Sequence, residues 1–359
     1  MTRSQVRLSR FGCRAVQPQG AASISTCDLW MAKRVLSELV RSLLQQTTRR
    51  VVEVYAMKIW INGKFVEPQD ARVGYFDGGF QHGIGLFETM MARGGAVLRL
   101  EEHLTRLEES ARTLKLFDQL RVEALGEAVQ FCVQAFAKES GSGDARIRLT
   151  VTGGDLGKPF AGANAAGGAA SVPDPTVAIH VQPPTRYPEE FFSKGVAVSV
   201  AESRANPFDP FAAHKTLAYW PRIQALRAAS AVGCAEALWF SVTNHLASGS
   251  VSSVFLAKRG RLLVPFARGE ELAGARPSAV LPGCTRAAVI LWAEGTGIGG
   301  LGIEVERRDL TIDDVLSADE IFLTNASWGV LPVVRVEQHE VGGGVPGNLA
   351  RAMREKWLA

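Results

Sequence analysis

The segment Gln182-Pro-Pro-Thr-Arg-Tyr-Pro constrains this chain more than any other feature. Each proline fixes its own φ, lacks an N–H and restrains the residue before it, so neither a helix interior nor a central strand can run through 183–188. The chain is divided there. At 359 residues with 47% hydrophobic content and 21% charge, it holds enough apolar mass for two ordinary cores. The expected organisation is an extension over 1–56, a small α/β domain over 57–182, a linker over 183–188, a larger domain over 189–345 and a C-terminal helix over 346–359.

Periodicity fills in the two halves. Met57-Lys-Ile-Trp-Ile-Asn-Gly-Lys-Phe-Val reads as strand, turn and strand. Over Arg99–Leu116, the residues Leu100, Leu104, Leu107, Ala111 and Leu114 fall at three- and four-residue spacing, which predicts an amphipathic helix with His103 and Arg106 on its polar face. A second helix is expected over 121–138, followed by strands at 146–152 and 176–182. Between those strands, Gly153–Pro175 is rich in Gly and Ala and reads as an exposed loop, either an active-site flap or an insertion. The second half reads as a strand (196–201), a helix (217–231), a strand pair (237–240 and 254–257), a helix (285–292) and a strand (320–324). The fold class is therefore mixed α/β, in two domains.

Charge and cysteine usage exclude several functions. Residues 1–56 hold nine Lys or Arg against three acids, which leaves 31 against 33 for the rest, so the body has no excess of positive charge for nucleic acid. The extension, with Arg3, Arg7, Arg10 and Arg14 and no acid before Asp28, reads as a start codon placed too early, a loosely folded arm or an organelle-targeting peptide. Without such targeting the expected location is cytoplasmic. No apolar run approaches membrane-spanning length. The five cysteines are scattered without CxxC spacing, which suggests no metal site, no disulfide framework and a reducing compartment. Gly295, Gly297 and Gly300 satisfy GxGxxG but follow a helix, whereas a dinucleotide fingerprint follows a strand. No Walker loop, HExxH or GxSxG is present.

Lys215, in His214-Lys-Thr-Leu-Ala-Tyr-Trp, lies where a loop enters a helix. A lysine buried there near other cations is held partly neutral and able to condense with an aldehyde; a solvated lysine is the plainer reading. Its surroundings favour the first. Ile61-Asn-Gly-Lys, Gly85-Leu-Phe-Glu-Thr, His103-Leu-Thr-Arg-Leu-Glu-Glu-Ser-Ala, Lys215, Gly233-Cys-Ala-Glu-Ala-Leu, Ser248-Gly-Ser-Val-Ser-Ser-Val-Phe, Leu281-Pro-Gly-Cys-Thr-Arg and Ala318-Asp-Glu-Ile-Phe-Leu-Thr-Asn occur in this order. Over 57–340 the sequence thus resembles the class IV, fold-type IV enzymes of pyridoxal 5'-phosphate: branched-chain and D-amino acid aminotransferases and aminodeoxychorismate lyase.

The resemblance implies a role for each matched residue. Lys215 becomes the catalytic Schiff-base lysine. Arg106 becomes a cofactor-phosphate anchor, with Cys284 and Thr285 at the start of a helix whose N–H groups meet the phosphate. Ser248, Ser252 and Ser253 complete the cofactor-binding set. Two of these depart from the family pattern: Ser248 stands where a glutamate keeps the pyridine nitrogen protonated, and Ser253 replaces an asparagine. On the substrate side, Arg148 matches an arginine near the substrate carboxylate, or else faces solvent at a strand edge, while Gly153 stands where D-amino acid enzymes often carry arginine. Asn325, Ala326 and Ser327 match a loop offering backbone N–H groups to that carboxylate. Tyr75 and Phe87 line the pocket or belong to the core. The implied activity is amino transfer between an amino acid and a 2-oxo acid by a homodimer, with no nucleic acid or membrane as partner. Cleavage of aminodeoxychorismate to 4-aminobenzoate and pyruvate is the alternative, and a cofactor-free binding protein is the third.

Overall fold

A computed structural model describes residues 58–117, 120–155, 174–295 and 300–359. The expectations for 1–56, for most of the 153–175 loop and for Gly297 fall outside the described residues.

The first sheet contains β1 (Ile59–Ile61), β2 (Lys64–Val66), β3 (Gly85–Arg93), β4 (Ala96–Val97), β5 (Ala145–Thr152) and β6 (Val177–Gln182). They pair antiparallel in the order β2-β1-β6-β5-β3-β4. Alternation along β5 explains its two faces. Ala145, Ile147, Leu149 and Val151 are fully buried, while Arg146, Arg148 and Thr150 point the other way and are only half-buried. The helices Leu100–Thr113 and Val122–Ser140 pack against the apolar face, where Leu104, Leu107, Val129 and Val133 meet Met90, Ile147 and Leu149.

The second sheet holds β7 (Val196–Val200), β8 (Glu236–Phe240), β9 (Leu246–Gly249), β10 (Ser253–Lys258), β11 (Arg261–Val264), β12 (Val305–Arg307), β13 (Glu320–Asn325), β14 (Gly329–Val336) and β15 (His339–Glu340). Its order is β12-β11-β10-β13-β14-β7-β8-β9, with β15 paired to β14. The joins β14–β7, β7–β8 and β11–β12 are parallel. One core lies under the helices Cys284–Glu294 and Asn348–Leu358, around Val289, Met353 and the stacked rings of Phe255 and Phe322, 5.0 Å apart. The predicted strand pair 237–240 and 254–257 is corrected: β8 pairs with β7 and β9, and β10 pairs with β11 and β13. The turn Ser241–His245 sends the chain back as β9 and occupies the edge of β8.

The predicted helix over 217–231 begins later, at Trp220, with Pro221 in its first turn. The residues before it are extended because they pair with β3: Phe87 N–H donates to the Lys215 carbonyl at 2.9 Å and Leu217 N–H to the Gly85 carbonyl at 3.0 Å. Gly85 makes that approach possible. A Cβ there would lie 2.5 Å from the Val151 carbonyl oxygen and 2.7 Å from Leu217 Cδ1. Gly85→Ala is therefore expected to lower stability by about 1–3 kcal/mol, measured by urea unfolding; an unchanged midpoint would contradict the close approach.

Candidate active site

A cavity of about 850 Å³ is lined by residues of both sheets and by the Lys215 segment. It receives the half-buried face of β5, the end of β9, the loop after β13 and the N-terminus of the helix Cys284–Glu294. Six cationic side chains line it: Arg106, Arg146, Arg148, Lys215, Arg222 and Arg286. No Asp or Glu is among its lining residues.

Lys215 opens part of its surface to this space, but its amine is enclosed. The Nζ atom lies 4.4 Å from the Phe87 ring centre and 5.8 Å from that of Tyr219. Desolvation, reinforced by Arg106 and Arg148 and opposed by Glu88, pushes its pKa down to about 8. The seam with β3 thus holds a backbone whose side chain is pushed toward the neutral amine.

Arg106 is anchored from behind. Glu88, on β3, accepts from its Nε at 2.8 Å and also from its Nη2, and lies 2.7 Å from His103 Nδ1. All three are buried, although helical periodicity predicted His103 and Arg106 on a polar face. Burial would raise the Glu88 pKa, but Arg106 and His103 more than offset it and hold the carboxyl well below the usual range. Burial would likewise lower the Arg106 pKa, and Glu88 reverses that. The remaining Nη1 donates to the Pro282 carbonyl at 3.0 Å, which places the guanidinium beside Gly283, the N-cap of the helix Cys284–Glu294. The first N–H groups of that helix have no intrahelical acceptor. With Arg106 they bring hydrogen-bond donors to one corner of the cavity, which Thr285 also lines.

The sequence-predicted residues Arg106, Lys215, Ser248, Ser252, Ser253, Cys284 and Thr285 all line this cavity, as do Phe87, Arg148, Asn325, Ala326 and Ser327. Arg148 lies with its guanidinium 3.4 Å from the centre of the Phe87 ring. Burial, and then Arg146, push its pKa down to about 10. In the loop after β13, Asn325 Oδ1 already accepts from the N–H groups of Ser327 and Trp328, at 2.9 and 3.0 Å. The Ala326 N–H beside them has no hydrogen-bond partner among the described residues. Tyr75 is not brought to the cavity: it is 69% exposed and packs on Phe76 and Phe80.

Sequence reasoning gave no role to Arg222 or Glu236. Arg222 lines the cavity one turn beyond Tyr219 and donates to Ser248 Oγ at 2.8 Å. Glu236 is fully buried, and its carboxylate accepts from the N–H groups of Ala237, Ser250 and Val251 and from the Ser252 hydroxyl. A single acid in the apolar run Glu236-Ala-Leu-Trp-Phe is the signal that could have found it; Arg222 has none beyond lying seven residues after Lys215.

The model of the family described as "Amino-transferase class IV" matches residues 85–336. The branched-chain-amino-acid aminotransferase of Escherichia coli strain K12 is 27% identical over 307 residues, covering 84% of this chain and 91% of that protein. The aminodeoxychorismate lyase of Bacillus subtilis strain 168 is 26% identical over 286 residues, covering 79% and 88%. Among solved structures, the 4-amino-4-deoxychorismate lyase of Pseudomonas aeruginosa superposes with a TM-score of 0.66 at 28% identity, covering 83% of this chain and 97% of that one. A crystal structure of the Escherichia coli branched-chain amino acid aminotransferase superposes with a TM-score of 0.70 at 25% identity, covering 84% and 94%.

Two outcomes follow from the electrostatics. Glu88 binds its proton more weakly folded than unfolded, so its stabilisation is present above pH 4.5 and is lost as pH falls below that value. Glu88→Gln should cost about 3–5 kcal/mol at neutral pH and flatten the acid limb of the stability curve; an acid limb as steep as the wild type's would remove Glu88 from that role. Labelling of Lys215 by an amine-directed reagent should rise through about pH 8, and a rise centred at the ordinary 10.5 would contradict the depressed amine.

Proposed function

The chain belongs to the class IV aminotransferases and is an enzyme; within that family we propose that it moves an amino group between an amino acid and a 2-oxo acid, using pyridoxal 5'-phosphate held at Lys215. The observation that carries this reading is an enclosed lysine amine, depressed to about 8, in a cavity lined by arginines and by no acid. The residues present suit the cofactor. Arg106 and the first turn of Cys284–Glu294 form a corner for a phosphate dianion, and Thr324 Oγ1 and His214 Nε2 are buried in the cavity wall without hydrogen-bond partners.

When bound, pyridoxal phosphate supplies an aldehyde for amine exchange and an aromatic ring that withdraws electrons from the substrate's α-carbon. The protein's own groups bind and move protons. Arg106, tied to Glu88, would anchor the phosphate, joined by the Thr285 hydroxyl and the N–H groups beyond Gly283, with Cys284, Ser252 and Ser253 around them. Lys215 Nζ would hold the cofactor, and once released would take the proton from the substrate's α-carbon and return it two atoms along, to the carbon that was the cofactor's aldehyde. Arg148 and the Ala326 N–H would hold the substrate carboxylate, beside Asn325 and Ser327, and Phe87 would form the floor under Lys215 and Arg148. Ser248 would meet the ring nitrogen.

Aminodeoxychorismate lyase activity is the second reading, supported by the Bacillus subtilis relative. Purified protein with pyridoxal phosphate separates the two: a transaminase forms a new amino acid only when a 2-oxo acid is supplied, whereas a lyase releases pyruvate from aminodeoxychorismate with no acceptor. Lys215→Ala should abolish either activity and the trapping of cofactor by borohydride. Trapping on another lysine would overturn the assignment.

We further propose a homodimer. Tyr75, Phe76 and Phe80 form an exposed aromatic cluster, with ring centres 5.3 and 6.0 Å apart, that a second copy would cover. Sedimentation should give a dimer at micromolar concentration, and Phe76→Ser with Phe80→Ser should shift it toward monomer. A fully active wild-type monomer would refute the proposal.

A further inference from the structure

The wall formed by the end of β9 and the first turn of Trp220–Ala231 differs from the rest of the cavity. Arg222 Nη1 donates both to Ser248 Oγ at 2.8 Å and to the Gly249 carbonyl at 2.9 Å. Its guanidinium lies 4.3 Å from the centre of the Trp239 ring and is buried, which lowers its pKa through desolvation. Among the described residues no acid forms an ion pair with it. The acid nearest this wall, Glu236, is turned away: both its oxygens are occupied by Ala237, Ser250, Val251 and Ser252, and it approaches the wall only from behind Gly249. Tyr219, the other titratable group facing Arg222, is neutral, its pKa raised first by burial, and its hydroxyl donates to the Ser250 carbonyl at 3.1 Å.

A guanidinium donates only, so it takes a lone pair of Ser248 Oγ and leaves the hydroxyl proton to be given elsewhere. That proton now goes to the Gly249 carbonyl at 2.9 Å, an acceptor the guanidinium also uses. A ligand atom with a free lone pair would draw the Ser248 proton out into the cavity. A ligand N–H bearing positive charge would meet a buried cation one oxygen atom away, a like-charge contact in a low dielectric.

On the reading that Ser248 meets the cofactor ring, we infer that Arg222 is a positioning residue that turns Ser248 into a hydrogen-bond donor and holds the ring nitrogen unprotonated. The wall is thus built for a neutral aromatic nitrogen that accepts, the opposite of a carboxylate that keeps it charged. Arg222 and Ser248 act as one unit: a carboxylate at 248 alone would pair with Arg222 instead of protonating the ring.

The test uses holoenzyme carrying ¹⁵N-labelled pyridoxal phosphate, with the nitrogen shift followed from pH 6 to 9. Wild type and Arg222→Lys should show an unprotonated nitrogen throughout. Arg222→Gln should raise the nitrogen's pKa by about one to two units, and Ser248→Glu with Arg222→Gln should raise it furthest. Ser248→Glu alone should move it less than the double variant does. A protonated nitrogen in wild type overturns the inference, as does an Arg222→Gln spectrum identical to wild type. If Arg222→Gln does not fold, wild type and Arg222→Lys still decide, since a protonated nitrogen in either is incompatible with the inference. Borohydride trapping on Lys215 in the same samples separates the two levels. Absence of trapping rejects the cofactor reading itself, whereas trapping with an unresponsive nitrogen rejects only the role of Arg222.

Discussion

Strand β3 joins the two halves of the site, because neighbouring residues on it serve different elements. The N–H of Phe87 donates to the Lys215 carbonyl, the Gly85 carbonyl accepts from Leu217, and the Glu88 side chain holds Arg106. The Lys215 amine and the Arg106 guanidinium are therefore referenced to a single piece of backbone, itself clamped edge to edge by β5 over eight paired residues from Gly85 to Ala92. Backbone hydrogen bonds of this kind fix position better than a loop could, since sliding the strand by one residue would turn every side chain to the wrong face. Phe87 takes part twice, its N–H in the seam and its ring in contact with both the Lys215 amine and the Arg148 guanidinium.

The sequence made some of this legible and hid the rest for identifiable reasons. The helix Leu100–Thr113 was readable because leucines at three- and four-residue spacing have one packing solution. The same pattern mislaid His103 and Arg106. Periodicity records polarity and cannot register that a strand from elsewhere brings a carboxylate to that face. Likewise β14, Gly-Val-Leu-Pro-Val-Val-Arg-Val, is mostly buried, so it lacks the alternation that betrays a strand and was not read. The late start of the helix at Trp220 depends on a long-range pairing with Gly85, and nothing local at Thr216 or Leu217 announces it. Motif residues were easier: most of those singled out reached one cavity because their order along the chain carries information that no single fragment does. Tyr75 did not, since an aromatic residue near a glycine-rich turn serves a surface as readily as a pocket.

The cavity's electrostatics follow from where its acids point. Glu88 and Glu236 are both buried beside it, and neither lines it. Glu88 neutralises Arg106 from behind while leaving Nη1 facing the helix N-terminus, so the guanidinium is held rigidly at that corner of the cavity. Glu270 does the same for Arg286, accepting from Nη1 at 2.7 Å. Arg146 and Arg148, by contrast, carry no acidic partner among the ion pairs of the described residues; they bond to the hydroxyls of Ser327 and Thr150. Arg106 and Arg286 are thus held in place by acids behind them, whereas Arg146, Arg148 and Arg222 line the cavity with no acidic partner among the ion pairs of the described residues.

Glu236 completes this logic. Its carboxylate gathers two backbone N–H groups and one hydroxyl from the turn between β9 and β10, and the N–H of Ala237 on its own strand; the turn is so tight that a Cβ on Gly249 would lie 2.1 Å from Ser252 Oγ. Burial raises its pKa and the N–H donors pull it back, so the group is tolerated only because the backbone satisfies it. Spending an acid on the turn has a chemical effect at a distance. It fixes the turn that follows Ser248 and carries Ser250 and Ser252, yet it adds no carboxylate to the wall, and Arg222 is left as the charge beside Ser248. The same hydroxyl backed by an acid would accept a proton from a ligand; backed by a guanidinium it gives one. The sign of the charge behind one serine thus decides what kind of aromatic nitrogen the cavity can hold, and the turn built by Glu236 leaves that sign positive.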